Sequence, residues 1–249
     1  MVCRLHSQPF PEVSPLGTTA IIAAYNEEKT LADVIRALSG SELIDEIIVV
    51  SDGSTDRTVE IARSFDIKTI ALRENRGKGH AMRIGVDNAA NDLLFFVDGD
   101  MYNVTNEHIE ALVVPVLKGE CDMNIGVRHR GAVLDFFHLR LQCGPVLSGI
   151  RVMRRAVFET VPSQYQERFK IEAALNCFCS RNGFVQRHTV IRNLSHVIKE
   201  SKRGLSDGLR SRWEMSREVV AVLVDLHVAQ TWRFAPEPEL EIAEYEVFE

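Results

Sequence analysis

The sequence predicts an α/β protein with a mostly parallel central sheet and helices on both faces. Three observations predict it. Short apolar runs alternate with helical patterns about four times in the first hundred residues, the signature of βαβ units. Runs such as Glu46–Val50 are apolar on both faces, as in strands buried between two helix layers. Three of the runs end in polar turns, and open parallel sheets gather their ligands at such ends.

Thr18–Ala24 is an apolar run of strand length, followed by Tyr25-Asn26-Glu27-Glu28. A helix follows, because Leu31, Val34, Ile35 and Leu38 recur at three- and four-residue spacing and Gly40 stands at the C-cap position. Glu46–Val50 is the second strand. The turn Ser51–Asp56 leads into a helix through Ile61, with Ser54 and Thr55 as caps and Asp56 in the first turn. Lys68–Ala71 reads as a third strand, Gly79–Ala90 as a helix and Leu93–Val97 as a fourth strand ending in Asp98-Gly99-Asp100. Beyond it the reading is helix at Thr105–Leu117, strand at Asp122–Val127 and short helix at Val133–Leu141. A loop at Gly144–Gly149, helix at Ile171–Asn182, strand at Val185–Ile191 and long helix at Asp207–Val228 complete it.

The chain has 249 residues, so one large domain is expected: a loose arm over 1–17 with Pro9, Pro11 and Pro15, a domain over 18–233, and an acidic, solvated tail over 234–249. With 45% hydrophobic and 26% charged residues, wholesale disorder is excluded. Lys+Arg 29 against Asp+Glu 35 gives −6, which argues against a nucleic-acid partner. The longest apolar runs fall far short of the roughly 20 residues that span a bilayer, and Met1–Pro15 has no apolar core of a secretory signal. Five scattered cysteines without a Cys-x-x-Cys pair point to a reducing, cytoplasmic setting rather than a disulfide framework.

Asp98-Gly99-Asp100 is the sharpest motif. In extended backbone, residues i and i+2 point the same way, so two carboxylates face one ligand. Adjacent anions need a cation, and a hard divalent ion with diphosphate oxygens serves. The competing reading is a solvated turn after a strand. Capping leaves Asp52 unexplained, and it stands where it could accept from a base edge or a ribose hydroxyl. Arg76-Gly77-Lys78-Gly79-His80 opens a helix, where backbone N–H groups and a lysine suit an anion, although the P-loop spacing is absent. Glu172 has a bland reading as a first-turn charge, and His196 as an ordinary exposed histidine. The basic residues Lys199, Lys202, Arg203, Arg210 and Arg212 suit either an acidic acceptor or a solvated helix entry.

Together, Ala24-Tyr25-Asn26-Glu27-Glu28, Asp52-Gly53-Ser54-Thr55-Asp56, Gly77-Lys78-Gly79 and Asp98-Gly99-Asp100 resemble the nucleotide-sugar glycosyltransferases of the GT-A fold, family 2 and its relatives. The resemblance runs from about Thr18 to Arg217. Ser148-Gly149-Ile150-Arg151, Ile171–Leu175 and Ser195-His196 look like segments of the glucosyl-3-phosphoglycerate synthases. The resemblance implies a GT-A, Rossmann-like sheet and a nucleoside-diphosphate sugar donor, UDP- or GDP-linked. It also implies roles: Ala24, Tyr25 and Glu27 at base and ribose, Asp52 at the base, Lys78 at the nucleotide, and Asp98 with Gly99 at ribose or sugar. Asp100 and His196 would hold Mg²⁺ or Mn²⁺, and Ser148 and Gly149 would meet the acceptor. Family members commonly carry Pro where this chain has Ala24.

For inversion at the anomeric carbon a carboxylate must deprotonate the acceptor hydroxyl, and Glu172 is the candidate base. For retention Glu172 positions the sugar or acceptor; inversion is slightly favoured, because family 2 inverts. The acceptor is unidentified, small or phosphorylated; peripheral membrane contact and a homodimer are left open. Three other readings compete. A haloacid-dehalogenase-type phosphatase would carry its Asp-x-Asp on the first strand. A sugar-1-phosphate nucleotidyltransferase would show a Gly-rich loop where Tyr25–Lys29 stands, and a catalytically silent scaffold would keep the fold alone.

Overall fold

A computed structural model of the chain describes residues 17–128, 148–166, 170–192, 194–196 and 245–248. Residues 1–16 of the expected arm over 1–17, the helices at 133–141 and 207–228, loop residues 144–147 and the five basic residues between 199 and 212 lie outside the described residues.

Strands β1 (Thr18–Ala24), β2 (Glu46–Ser51), β3 (Lys68–Leu72) and β4 (Leu93–Asp98) lie parallel in the order β3-β2-β1-β4. The chain builds outward from β1 through β2 to β3, then returns to the far side of β1 for β4. The crevice between the carboxyl ends of β1 and β4 is therefore the topological switch point, where doubly wound sheets bind ligands. Helices α1 (Leu31–Ser39), α2 (Thr58–Arg63) and α3 (Lys78–Asn88) make the crossovers.

Alternation along the strands assigns the faces. Ala20 and Ile22 of β1 and Leu93, Phe95 and Val97 of β4 pack with α1 and with α4 (Asn106–Leu117). Ile21, Leu94 and Phe96 pack on the opposite side with Met82 and Val86 of α3. Both layers exclude water, so the strands read as continuous apolar runs.

Beyond β4 the sheet turns mixed. It continues through β7 (Arg151–Arg154), antiparallel to β4, to β6 (Met123–Arg128) and β8 (Gln186–Ile191). Helices α5 (Arg155–Glu159) and α6 (Lys170–Arg181) complete the second layer. A two-stranded ladder pairs β5 (Met101–Tyr102) with β9 (Ser195–His196).

Two expectations are corrected. Tyr245–Phe248 form β10, antiparallel to β3 at the sheet edge, where a solvated acidic tail was expected; the Arg63 guanidinium stacks over the Phe248 ring at 3.9 Å. This apolar-acidic alternation is drowned in the tail's glutamates at the level of composition. Ser54 and Thr55 do not cap α2. Its N-cap is Arg57, with no side-chain cap bond, while Asp56 just ahead of the helix accepts from the Thr58 N–H at 3.0 Å and from the Thr58 hydroxyl.

Pro115 lies inside α4 and has no N–H for the Ala111 carbonyl four residues back. Asn124 of β6 supplies the donor instead: its Nδ2 donates to the carbonyls of Ala111 at 3.1 Å and Leu112 at 3.0 Å. The Thr189 hydroxyl donates to Asn124 Oδ1 at 2.8 Å, which fixes the amide's orientation.

Candidate active site

The three polar turns at the strand ends are tied into one floor. Asp52 N–H donates to the Ala24 carbonyl at 2.8 Å, which joins the end of β1 to that of β2. Asn26, in the left-handed region at φ 56°, donates its N–H to Ser54 Oγ, and its Oδ1 accepts from the Thr55 N–H at 2.8 Å. Glu27, 4% exposed, donates its N–H to Thr58 Oγ1 at 2.8 Å. Ser54 and Thr55 thus brace the β1 turn. Ala24 is buried, and Tyr25 is 37% exposed at the rim. Gly99 fills the narrow gap beside Ala24 and Glu27, and its carbonyl accepts from the Thr30 hydroxyl at 2.7 Å.

Asp52 is buried, 4% exposed, and its carboxylate spans the start of α3. Its Oδ1 accepts from the Arg76 N–H and its Oδ2 from the Gly77 N–H, each at 2.8 Å. Burial pushes its carboxyl above the usual range against these two bonds and the charge of His80. The structure thereby gives Asp52 a structural task that the sequence did not show.

Lys78, the first residue of α3, reaches across the crevice. Its ammonium lies 2.5 Å from Asp98 Oδ1 and 2.7 Å from Glu172 Oε1. Burial alone would lower this lysine's pKa, but the two carboxylates outweigh it and hold it above the usual lysine range. Expected residues from three distant segments are thus brought together: Lys78, Asp98 and Glu172. Glu172 is 8% exposed, and one of its two carboxylate oxygens, Oε1, is engaged by Lys78.

Arg151 was missed as a functional residue. It is fully buried on β7. Its Nε and Nη2 donate to the Ser148 carbonyl at 3.0 and 2.6 Å, and its Nη1 donates to the Glu172 carbonyl and to Asn176 Oδ1. A charged side chain inside the apolar run Ile150–Met153 was the available signal. Arg151 anchors the expected acceptor segment and the first turn of α6 to each other. The Ser148 hydroxyl donates to the Gly126 carbonyl at 2.5 Å. Gly149 lies against the Asp98 carboxylate so closely that a Cβ would overlap it.

Asp100 lies in the turn between β4 and β5, and the β5–β9 ladder pairs Met101 with His196. The ladder thereby brings the backbone of His196 alongside the residue that follows Asp100. A carboxylate oxygen suits Mg²⁺ and Mn²⁺ alike, and an imidazole beside it would favour the transition ion Mn²⁺. Among the described residues, no group of three His, Cys, Asp or Glu side chains gathers around a metal position.

The model of the family Glycosyl transferase family 2 matches residues 19–189, more than half of the chain. The chain belongs to glycosyl transferase family 2. Solved structures similar to this family 2 chain include glucosyl-3-phosphoglycerate synthase from Mycobacterium tuberculosis. Its complex with phosphoglyceric acid is 25% identical with a TM-score of 0.69, covering 85% of this chain and 80% of that one. Its complex with Mn²⁺, UDP-glucose and phosphoglyceric acid matches equally, at TM-score 0.69 and 25% identity over 85% and 79% of the two chains. The GT-A fold is that of these structures. Among curated relatives, the 4,4'-diaponeurosporenoate glycosyltransferase of Staphylococcus aureus (strain USA300) is 32% identical over 100 residues. That stretch is 38% of this chain and 27% of the relative, so the match spans about a quarter of the relative's length.

Proposed function

We infer that this family 2 chain transfers a sugar from a nucleoside-diphosphate sugar to the hydroxyl of a small or phosphorylated acceptor. The single observation that carries this reading is the Lys78–Asp98–Glu172 constellation at the switch point of the sheet. It places one buried cation between two carboxylates, where the anionic diphosphate and the polyhydroxylated sugar of one donor would meet them. The synthase crystallised with Mn²⁺ and UDP-glucose supports UDP-glucose as the first donor to test.

In this reading Ala24, Tyr25 and Glu27 receive base and ribose, with Asp52 behind them. Lys78 faces the diphosphate, while Asp98 and Gly99 approach ribose and sugar. Asp100 and His196 hold Mg²⁺ or Mn²⁺, which when bound supplies Lewis-acid neutralisation of the diphosphate charge. The bond between the anomeric carbon and the diphosphate oxygen breaks, and the nucleoside diphosphate leaves with the electron pair. The acceptor oxygen bonds to the anomeric carbon, and its proton passes to the departing diphosphate oxygen. Ser148 and Gly149 border the acceptor side.

Glu172 acts as a fixed carboxylate that accepts from sugar or acceptor hydroxyls. Its engagement by Lys78 supports this role over that of the base that inversion requires, so retention is the outcome we favour. Among the described residues Cys121, Cys177 and Cys179 are free thiols, which supports a reducing compartment such as the cytoplasm. Among the described residues no helix is long and apolar enough to cross a membrane.

The test is incubation with UDP- and GDP-sugars plus MnCl₂ and a panel of phosphorylated and hydroxylated acceptors, read by mass spectrometry. Release of nucleoside diphosphate matched by a glycosylated acceptor supports the reading. Pyrophosphate release would replace it with nucleotidyl transfer, and nucleotide binding without turnover with a silent scaffold.

A further inference from the structure

The base end and the sugar end of the crevice are joined by covalent chain. Asp52 stands at the carboxyl end of β2, and Lys78 follows directly after Gly77, whose N–H the Asp52 carboxylate holds at 2.8 Å. The neighbouring N–H, that of Arg76, is held by the other oxygen of the same carboxylate at 2.8 Å. Gly53 completes the clamp. At φ 66° it lies so close to the Glu74–Asn75 backbone that a Cβ would overlap it. Gly77, at φ 94° and ψ 160°, is the N-cap of α3 and has no capping side chain from its own segment. The Asp52 carboxylate, delivered from a different strand, instead holds the N–H groups of the N-cap and of the residue before it. An anion there also suits the positive end of the helix.

We propose that Asp52 is a positioning residue for Lys78: by clamping the Arg76–Gly77 turn it sets where α3 begins and hence where the lysine ammonium stands between Asp98 and Glu172. This rests on the donor-binding reading above and deepens it. A carboxylate placed only to read the base would keep its oxygens for the ligand, whereas this one already serves two backbone donors. Lys78 Nζ must meet two carboxylates within 2.7 Å, and a shift of α3's first turn would move it off both. Occupancy at the base end is thereby coupled to the geometry of the cation at the diphosphate and sugar end.

A double-mutant cycle on binding of UDP with MnCl₂, measured by calorimetry, tests it. Asp52→Asn keeps the size of the side chain but sets an amide NH₂ against one of the two backbone donors. Lys78→Gln removes the charge while keeping hydrogen bonds to the carboxylates. Each single change is expected to weaken UDP binding about tenfold, and the double variant by at least about threefold less than their product, beyond the scatter of independent sites. A control cycle pairs Tyr25→Ala with Lys78→Gln and is expected to be multiplicative, because Tyr25 has no such link to α3. If Asp52→Asn does not fold, Gly77→Ala loosens the same turn from its other side and replaces it in the cycle. A multiplicative Asp52–Lys78 cycle overturns the proposal in favour of direct base contact. Non-additivity of equal size in the Tyr25 control also overturns it, as general loosening. Failure of the unaltered protein to bind UDP at all would instead sink the donor-site reading itself.

Discussion

Lys78 Nζ and Glu172 Oε1 lie 2.7 Å apart across 94 residues of sequence, and Asp98 shares the same ammonium. Removing the cation leaves two carboxylates side by side in a largely buried crevice. Lys78→Met should therefore destabilise the protein by about 3–5 kcal/mol in urea unfolding, the range for breaking one side of a buried ionic network. Glu172→Gln should be milder in stability and cut turnover about a hundredfold without erasing a limb of the pH–rate profile. Loss of such a limb would restore Glu172 as the base.

Gly149 is the other wall of that cluster. Gly149→Ala would drive a methyl group into the Asp98 carboxylate, and the carboxylate must then leave Lys78. We expect a loss of about 1–3 kcal/mol in stability, as for overpacking elsewhere, together with a rise in KM for the donor. Unchanged donor KM would show that Asp98 is not held in place by this contact.

Pro115 and Asn124 should behave as a coupled pair. Asn124→Leu strands the Ala111 carbonyl in the core, removes a second bond from that of Leu112, and should cost about 2–3 kcal/mol, the penalty for a buried unsatisfied acceptor. In a Pro115→Ala background the new backbone N–H can serve Ala111, so the same change should cost less. Equal costs in both backgrounds, by thermal unfolding, would separate the two residues.

Asp56 governs part of the acid limb of stability. Burial pushes its carboxyl up, but bonds from the Thr58 hydroxyl and the Thr58 and Glu28 N–H groups outweigh this and hold it below the ordinary value of 3.8. A group lowered in the folded state contributes stability above its unfolded pKa and loses it as the pH falls through the folded value. Asp56→Asn should flatten the decline of unfolding free energy below about pH 4, since the unfolded-state carboxyl titrates near there. An unaltered slope would mean that the bonds do not persist in solution.

Much of this protein was determined by its sequence. The alternation of apolar runs and helical periods fixed β1 to β4 and α1 to α4 within one or two residues. It did so because burial on both faces demands continuous apolar strands, and the crossover helices leave their own three- and four-residue spacing. The polar turns at the strand ends were legible for the same reason: Glu27, Asp52 and Asp98 stand where the apolar pattern stops, and Lys78 was legible from the glycines that open its helix.

What the tertiary structure alone decided are the partners. That Asp52 turns to the Arg76 and Gly77 backbone, that Lys78 rather than solvent neutralises Asp98 and Glu172, and that Arg151 lies fully buried against α6 depend on contacts across 20 to 94 residues. No local periodicity encodes such distances. The same holds for β7, whose ladder partners β4 and β6 make a strand of four residues stable, and for β10, which pairs with the distant β3. Charge meets charge here because the packing of the sheet and its helices brings their ends into one crevice, and only the folded chain has that crevice.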